Sequence, residues 1–98
     1  MEKNYELELY KLIIEGNDGE PFADELRWVS DTEFCIWVSF IDFYDFMSEA
    51  ESIFGCGIFD DGGFTANIQT GYVCIDLCEM FQAYLDVENV FPKEKYSW

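Results

Sequence analysis

The sequence has no histidine and very few basic residues, and both deficits restrict what the chain can do. Five Lys and Arg residues stand against 21 Asp and Glu residues in a chain of 98, which gives a formal net charge of −16. Without histidine, the commonest general base and the Ser-His and Cys-His nucleophile pairs are missing. The negative charge repels nucleic acid and anionic membranes, so we expect neither as a direct partner. We expect a basic protein surface as the partner instead, and no enzymatic activity.

Long hydrophobic runs are also absent. No stretch approaches the ~18 consecutive apolar residues that indicate a membrane-spanning helix, and the N-terminal sequence MEKNYELELYK has no apolar segment of signal-peptide length. A phosphate-binding GxxxxGK motif is missing as well. These absences predict a soluble, intracellular chain, in which cysteines are reduced or bound to metal and are not paired in disulfides.

The length predicts a single domain over residues 1–98. In the first half, alternation of apolar and polar residues predicts three strands, in YELELYKLIIEG, ELRWVS and EFCIWVSF. In the third of these, Cys35, Trp37 and Ser39 share one face. A helix is then predicted from about Ile41 to Phe54, and Gly55 is a plausible stop.

The second half predicts a hairpin and at least one helix. Ile58 and Phe59 form the first strand of the hairpin, and residues 64–69 form its return strand. The segment YVCIDLCEMFQAYLD allows two interpretations. Its apolar stripe favours a single helix from about Tyr72, whereas the alternative is a strand YVCID followed by a helix that Asp76 and Glu79 cap. The segment VFPKEKYSW is predicted to be a tail. The whole order predicts an α+β fold, with an antiparallel sheet of four to five strands and two helices packed on it.

The predicted helix in the middle of the chain displays an acidic stripe. Asp42, Asp45 and Glu49 fall with Ser52 within an arc of about 80°. Such a stripe is usually a solvated face. However, no basic residue occurs between Arg27 and Lys93, whereas an ordinary surface mixes both signs of charge. We therefore expect this stripe to bind a basic protein.

Two further features of the same region bear on binding. Tyr44 and Phe46 flank the apolar side of the predicted helix, so we expect exposed aromatic side chains there, which are typical anchors for protein partners. The predicted turn FDDGGF offers Asp60 and Asp61, which we include among the partner-binding candidates. Two neighbouring carboxylates could also perform acid-base chemistry, but in a glycine-rich segment they are more typical of a turn.

Four cysteines in so short a chain suggest a structural site. Cys74 and Cys78 lie one turn apart if their segment is helical, and Cys35 and Cys56 occur nearer the middle of the chain. Four converging thiolates would form a tetrahedral zinc site, which predicts zinc as a structural cofactor. The spacing is not that of the usual CxxC pair. The alternatives are that the cysteines pack as small core residues or, less in keeping with a reducing compartment, form a disulfide.

Small size, strong acidity, many aromatics and no catalytic constellation together resemble the small anti-CRISPR proteins of phages and mobile elements. The segments that give this resemblance are IDFYDFMSEAESIF and IFDDGGF. Many of that group's inhibitors of type II Cas nucleases are acidic domains that occupy or block the basic channels where DNA enters. The resemblance therefore implies a Cas nuclease as partner, action as a nucleic-acid mimic, and a location in the cytoplasm of a bacterial host cell.

A second hypothesis uses the same electrostatics. An immunity protein or antitoxin that neutralises a basic nuclease toxin would also be small and acidic, and the sequence does not separate the two classes. A test of DNA loading by a Cas ribonucleoprotein, set beside a test of rescue from a toxin, would do so.

Overall fold

The computed structural model describes residues 4–16, 19–60 and 62–97. The chain has an α+β fold, in which a four-stranded antiparallel sheet packs against helices. The strands are β1 (Ala23–Trp28), β2 (Phe34–Ser39), β3 (Phe64–Asn67) and β4 (Tyr72–Asp76). The α-helices are α1 (Tyr5–Tyr10), α2 (Phe40–Phe54), α3 (Leu77–Phe81), α4 (Val87–Val90) and α5 (Lys93–Tyr96). A π-helical turn over Lys11–Glu15 extends α1, and a 3₁₀ turn covers Cys56–Phe59.

The strand order β1-β2-β4-β3 places β2 and β4 at the centre of the sheet. In β2, Phe34, Ile36 and Val38 are fully buried, and the register sets Ile36 opposite Ile75 and Val38 opposite Val73 of β4. Side chains alternate between the two faces of a strand, so these residues define one apolar face. We call this the inner face, because the helices cover it, and the opposite one the outer face.

The predicted strands β1 and β2 and the predicted helix α2 are confirmed. The side-chain oxygen of Ser39 accepts a hydrogen bond from the backbone N–H of Asp42 at 3.4 Å, which caps the first turn of α2. Gly55 ends the helix with a φ of 101°, a left-handed conformation that glycine adopts without steric cost. Ala50 and Phe54 on the inward side of α2 are buried.

The predicted strand in YELELYKLIIEG is wrong, because this segment forms α1 and the π-helical turn. Asn4 caps the helix by accepting a hydrogen bond from the backbone N–H of Leu7 at 3.1 Å. Leu9, Leu12 and Ile13 are buried, and their spacing of three and four residues places them on one side of a helix. The same segment also alternates polar and apolar residues, which favours a strand. Packing of its apolar side on the core favours the helix instead.

The predicted hairpin between residues 58 and 69 is not formed, although its return strand, predicted over residues 64–69, is confirmed in part as β3. Ile58 and Phe59 belong to the 3₁₀ turn, and β3 pairs instead with β4 through the turn at residues 68–71. The single helix from Tyr72 is wrong as well. The alternative is confirmed for the strand and for the cap at Asp76, but Glu79 does not complete the capping box, because the backbone N–H of Asp76 donates to the carbonyl oxygen of Gly63. YVCID is strand β4, and the Asp76 carboxylate caps α3 by accepting hydrogen bonds from the backbone N–H groups of Cys78 at 3.0 Å and Glu79 at 3.4 Å.

The predicted C-terminal tail is part of the core. Phe91 is fully buried and stacks on Phe34 with their ring centroids 4.8 Å apart. The indole N–H of Trp28 donates a hydrogen bond to the carbonyl oxygen of Phe91 at 2.8 Å. Pro92 does not end regular structure, since it precedes α5. Among the described residues, no helix has the length and apolar character needed to cross a membrane.

Candidate protein-binding surfaces

The solvent-facing side of α2 displays carboxylates and uncovered apolar side chains together. The side opposite the buried Ala50 projects Ile41, Tyr44, Asp45 and Glu49. Ile41 is 89% exposed and Tyr44 is 75% exposed, and both carboxylates are exposed. An isoleucine left almost wholly in water has no role in the core, so this side of α2 is a candidate contact surface.

Asp42 differs from the other two carboxylates of the acidic stripe. It is half-buried, and the hydroxyl of Ser39 donates a hydrogen bond to its Oδ2 at 3.3 Å. It also lies in the first turn of α2, where a negative charge is favourable beside the positive end of the helix dipole. Part of the role of Asp42 is therefore to stabilise the start of the helix.

The two aromatic residues expected beside the apolar side of α2 have different environments. The exposure of Tyr44 confirms the prediction for that residue. The prediction for Phe46 is wrong, because this ring is fully buried and lies 5.9 Å from the ring of Phe22 and 6.3 Å from those of Phe43 and Phe59. Tyr44 is thus the most exposed aromatic side chain of α2, and Phe40 at the first position of the helix is 43% exposed.

No ion pair in the described part of the chain neutralises the acidic stripe. Across the described residues, the ion pairs are Arg27 with Glu25 at 3.2 Å and Lys93 with Glu88 at 3.5 Å. Neither pair involves α2. The carboxylates of Asp45 and Glu49 are therefore available to an external cation.

The other two acidic candidates lie away from α2. Asp60 is exposed and follows the 3₁₀ turn, where its backbone N–H donates a hydrogen bond to the carbonyl oxygen of Gly57. Asp61 lies outside the described residues. Because residues 58 and 59 are not in a strand, the acidic hairpin that the sequence suggested is not formed.

The outer face of the sheet is a second candidate surface, which the sequence did not indicate. The strand register places Trp37 beside Cys74 and Ser39 beside Tyr72 on this face. Beyond them, Thr65 and Asn67 of β3 continue the same two rows. A groove of about 510 Å³ lies over these residues. We call it the outer-face groove, and its lining includes Asp24, Glu25, Trp37, Thr65, Asn67 and Tyr72.

An irregularity in β1 brings two consecutive carboxylates to the outer-face groove. Ala23 pairs with Val38 and Glu25 pairs with Trp37, so Asp24 is an extra residue between two paired ones. The hydroxyl of Tyr72 donates a hydrogen bond to Oδ2 of Asp24 at 2.7 Å, and this bond raises the pKa of Tyr72. The bulge therefore holds the Asp24 carboxylate in a defined orientation at the rim of the groove.

Arg27 is a basic residue on the outer face, and it shows what that face can hold. Its Cζ lies 5.0 Å from the centroid of the Trp37 ring, within the range of a cation–π interaction. Its Nε lies 3.2 Å from Oε1 of Glu25, although the alignment is not that of a hydrogen bond. The face thus accommodates a guanidinium between an aromatic ring and a carboxylate.

The structure brings together two of the four cysteines. Cys35 and Cys74 are diagonal neighbours on the outer face, since Cys35 pairs with Asp76 and Cys74 with Trp37, and both line one hollow. Cys78 lies in α3, outside β4, so it is not one helical turn from Cys74. Cys56 is exposed in the 3₁₀ turn. Within the described part of the chain, no group of three or more Cys, Asp or Glu side chains is placed to hold a metal ion.

The environment of the three less accessible thiols favours their protonated form. Burial raises the pKa of Cys35 from 9.0 to about 12, and the neighbouring Cys74 and Asp76 add to this effect. Burial also raises the pKa of Cys74 and of Cys78. Metal ligation requires thiolates, so binding zinc here would need both a closer approach of the cysteines and the loss of these protons. Zinc stays a prediction.

No protein-family model, no curated protein and no solved structure matches this chain. The residues of the two surfaces are therefore interpreted from their own geometry. The alternation in EFCIWVSF did place Trp37 on a face of its own, but the bulge at Asp24 has no glycine or proline to mark it. Tyr72 lies on the outer face because its segment is strand β4, whereas the apolar stripe of that segment favoured a helix.

Proposed function

We propose that this chain is an anti-CRISPR inhibitor that binds a basic surface of a type II Cas nuclease and blocks the loading of target DNA. In this proposal it acts in the cytoplasm of a bacterial host cell and occupies a place that nucleic acid would take. The observation that supports the proposal best is the solvent-facing side of α2. There, carboxylates that form no ion pair with a described residue stand beside the exposed Ile41 and Tyr44.

The combination of charge and apolar surface favours a protein partner over a merely solvated face. A face that serves only solubility needs neither an isoleucine that is 89% exposed nor a tyrosine that is 75% exposed. Aromatic and large apolar side chains supply most of the binding free energy at interfaces, whereas charges at the rim accelerate association and select the partner. Ile41 and Tyr44 would provide the first contribution, and Asp45 and Glu49 the second.

The net charge determines which partner is favourable. A chain of charge −16 is attracted over long distances to a surface rich in Arg and Lys. Channels that hold nucleic acid are such surfaces, because they neutralise phosphates. Carboxylates on a helix face can form charge-assisted hydrogen bonds with the same Arg and Lys side chains. Binding by the chain would therefore exclude DNA from the residues that it contacts.

The first experiment measures DNA cleavage by a type II Cas ribonucleoprotein with increasing amounts of wild-type or variant inhibitor. In the double variant Asp45→Lys/Glu49→Lys, the inhibitor concentration needed for half-maximal effect should rise by about tenfold or more. The control is Glu6→Lys/Glu15→Lys, which makes the same change of net charge at exposed positions of the N-terminal helical segment. Asp42 is left unchanged in this design because it stabilises the start of α2.

Two outcomes would contradict the proposal. Equal effects of the two double variants would show that net charge matters and that α2 is not the contact surface. A folded wild-type chain that inhibits none of a panel of type II nucleases, yet protects cells from a basic nuclease toxin, would favour the immunity-protein hypothesis instead.

A second experiment tests mimicry by changing the order of addition. If the inhibitor occupies the DNA site, a nuclease that is loaded with target DNA beforehand should be protected, and inhibition of the free nuclease should weaken as salt rises. Equal inhibition of the free and the DNA-bound nuclease would place the contact elsewhere and leave charge with a steering role only.

A further inference from the structure

We propose that the outer-face groove is a binding site for an arginine side chain of the basic partner. The inference deepens the proposed function, because it names a group of the partner that the chain would capture at a second surface. It relies on the proposed function only for the identity of the partner. The chemistry of the groove itself supports the choice of arginine.

The groove is large enough to admit a side chain of a partner protein. Its volume is about 510 Å³, and it lies over the outer face, which the helices leave uncovered. The rings of Trp37 and Tyr72 contribute aromatic surface, and Thr65 and Asn67 contribute polar groups. An aromatic surface with a few polar groups around it is typical of sites that bind a defined ligand.

The Asp24 carboxylate supplies an oriented anion at the rim. Its Oδ2 accepts the hydrogen bond from Tyr72, and no described residue donates a hydrogen bond to its Oδ1. This oxygen is thus free to accept a hydrogen bond from an incoming guanidinium. Because Tyr72 already holds the carboxylate in place, binding would not have to order it.

The charge around the groove favours a cation. A neighbouring hollow shares Thr65 and Cys74 with the groove and is also lined by Glu33, Asp76 and Glu79. Together with Asp24 and Glu25 this makes five carboxylates, which the single guanidinium of Arg27 offsets only in part. A ligand with a positive charge would therefore be attracted to the outer face, and an anion would be repelled.

The chain's own Arg27 indicates why arginine is preferred to lysine. Its guanidinium lies against Trp37 and close to Glu25, so an aromatic ring and a carboxylate on this face already hold a planar cation. A guanidinium can stack on a ring and donate several hydrogen bonds in one plane, whereas an ammonium is a compact, strongly hydrated charge. Tyr72 and Asp24 offer the same pair of groups to a second guanidinium.

The test uses a short oligo-arginine peptide as the probe and the full-length chain, without any nuclease. Binding is followed by NMR, with the indole N–H of Trp37 and the backbone signals of Thr65 and Tyr72 as reporters of the groove. We expect saturable chemical-shift changes centred on these residues. An oligo-lysine peptide of equal length should bind at least severalfold more weakly. Equal affinity for the two peptides would overturn the assignment to arginine.

Variants locate the binding site. Asp24→Asn removes the charge but keeps the shape, and should weaken binding of the oligo-arginine peptide by about tenfold, as expected for a charge-assisted hydrogen bond. Tyr72→Phe removes the hydroxyl that orients Asp24 and should have a smaller effect in the same direction. The control Glu6→Gln removes one carboxylate charge at an exposed position of α1, which neither proposed surface includes, and should have little effect. Shifts confined to residues outside the groove, or an equal loss in Glu6→Gln and Asp24→Asn, would overturn the inference.

The same variants separate this inference from the proposed function. If Asp45→Lys/Glu49→Lys abolishes inhibition of the nuclease but the peptide does not bind the groove, the proposed function survives and the groove inference fails. If the peptide binds the groove but the chain does not inhibit the nuclease, the groove inference survives and the proposed function fails.

Discussion

The inner and outer faces of the sheet are built from the same strands, yet their surroundings differ. In β2, Phe34, Ile36 and Val38 point inward and have no exposed surface, whereas Trp37 and Ser39 point outward and are partly exposed. Helices pack on the inner face, and the groove lies over the outer one. Alternating side chains thus let one strand contribute to stability with one face and remain available for binding with the other.

The inner face also explains how so acidic a chain folds. Burial of apolar surface is the dominant favourable contribution to folding, and it must offset the mutual repulsion of the carboxylates. None of the described charged residues is buried as a whole, so the cost of removing charge from water is confined to partly buried groups such as Asp76. The aromatic cluster of Trp28, Phe34, Phe91 and Tyr96 supplies much of the buried surface at one end of the sheet.

The sharpest test of this contrast compares Phe34→Ala on the inner face with Trp37→Ala on the outer face. Phe34→Ala should lower the free energy of unfolding by about 3–5 kcal/mol, because it leaves a cavity among packed rings. Trp37→Ala should cost about 1 kcal/mol, chiefly through loss of the contact with Arg27. Urea unfolding measures both values, and Phe34→Leu serves if the alanine variant does not fold. Equal losses in the two alanine variants would contradict the division of roles.

A smaller effect is expected at Asp76, where β4 passes into α3. Asp76→Ala should lower the free energy of unfolding by about 1 kcal/mol because it removes the cap of α3. Asp76→Asn keeps an oxygen that accepts the same hydrogen bonds and should cost less. Thermal unfolding of the two variants beside the wild type measures the difference, and equal losses would show that the cap is not the cause.

The same residue predicts a dependence on pH. Burial raises the pKa of Asp76 above its ordinary value of 3.8, so the folded state binds a proton more readily than the unfolded state does. The resulting stabilisation is fully present below pH 3.8 and is lost as pH rises through the raised pKa. The stability of the wild type relative to Asp76→Asn should therefore increase as the solution is acidified from neutral pH. A difference that does not change with pH would contradict this.

Thiol labelling at neutral pH should disturb the fold least, and it measures how accessible and reactive each cysteine is. The exposed Cys56 should react first, and Cys35 last, since it is buried and its pKa is about 12. Mass spectrometry of digested samples gives the order. A structural zinc site would instead protect all four cysteines, including Cys56, until a chelator is added. Removal of the zinc by the chelator would then lower the thermal stability of the protein. Labelling without and with chelator therefore decides between the two interpretations.

The amino-acid sequence by itself determined the charge of this protein and the elements with strong, long patterns. The absence of basic residues between Arg27 and Lys93 predicted the unpaired acidic side of α2. The length of α2 and its stop at Gly55 also followed from local preferences, which do not depend on distant residues. The α+β class, the antiparallel sheet and the strands β1, β2 and β3 were predicted for the same reason.

Only the tertiary structure decided the short or ambiguous segments. YELELYKLIIEG and YVCID each fitted two periodicities, and the choice depended on what packed against them: the core for α1, and the neighbouring strands β2 and β3 for β4. The same holds for the burial of Phe91 and for the pairing of β3. The outer-face groove arises from a bulge at Asp24 and from the register among the four strands. Both are properties of long-range hydrogen bonds that no local sequence pattern encodes.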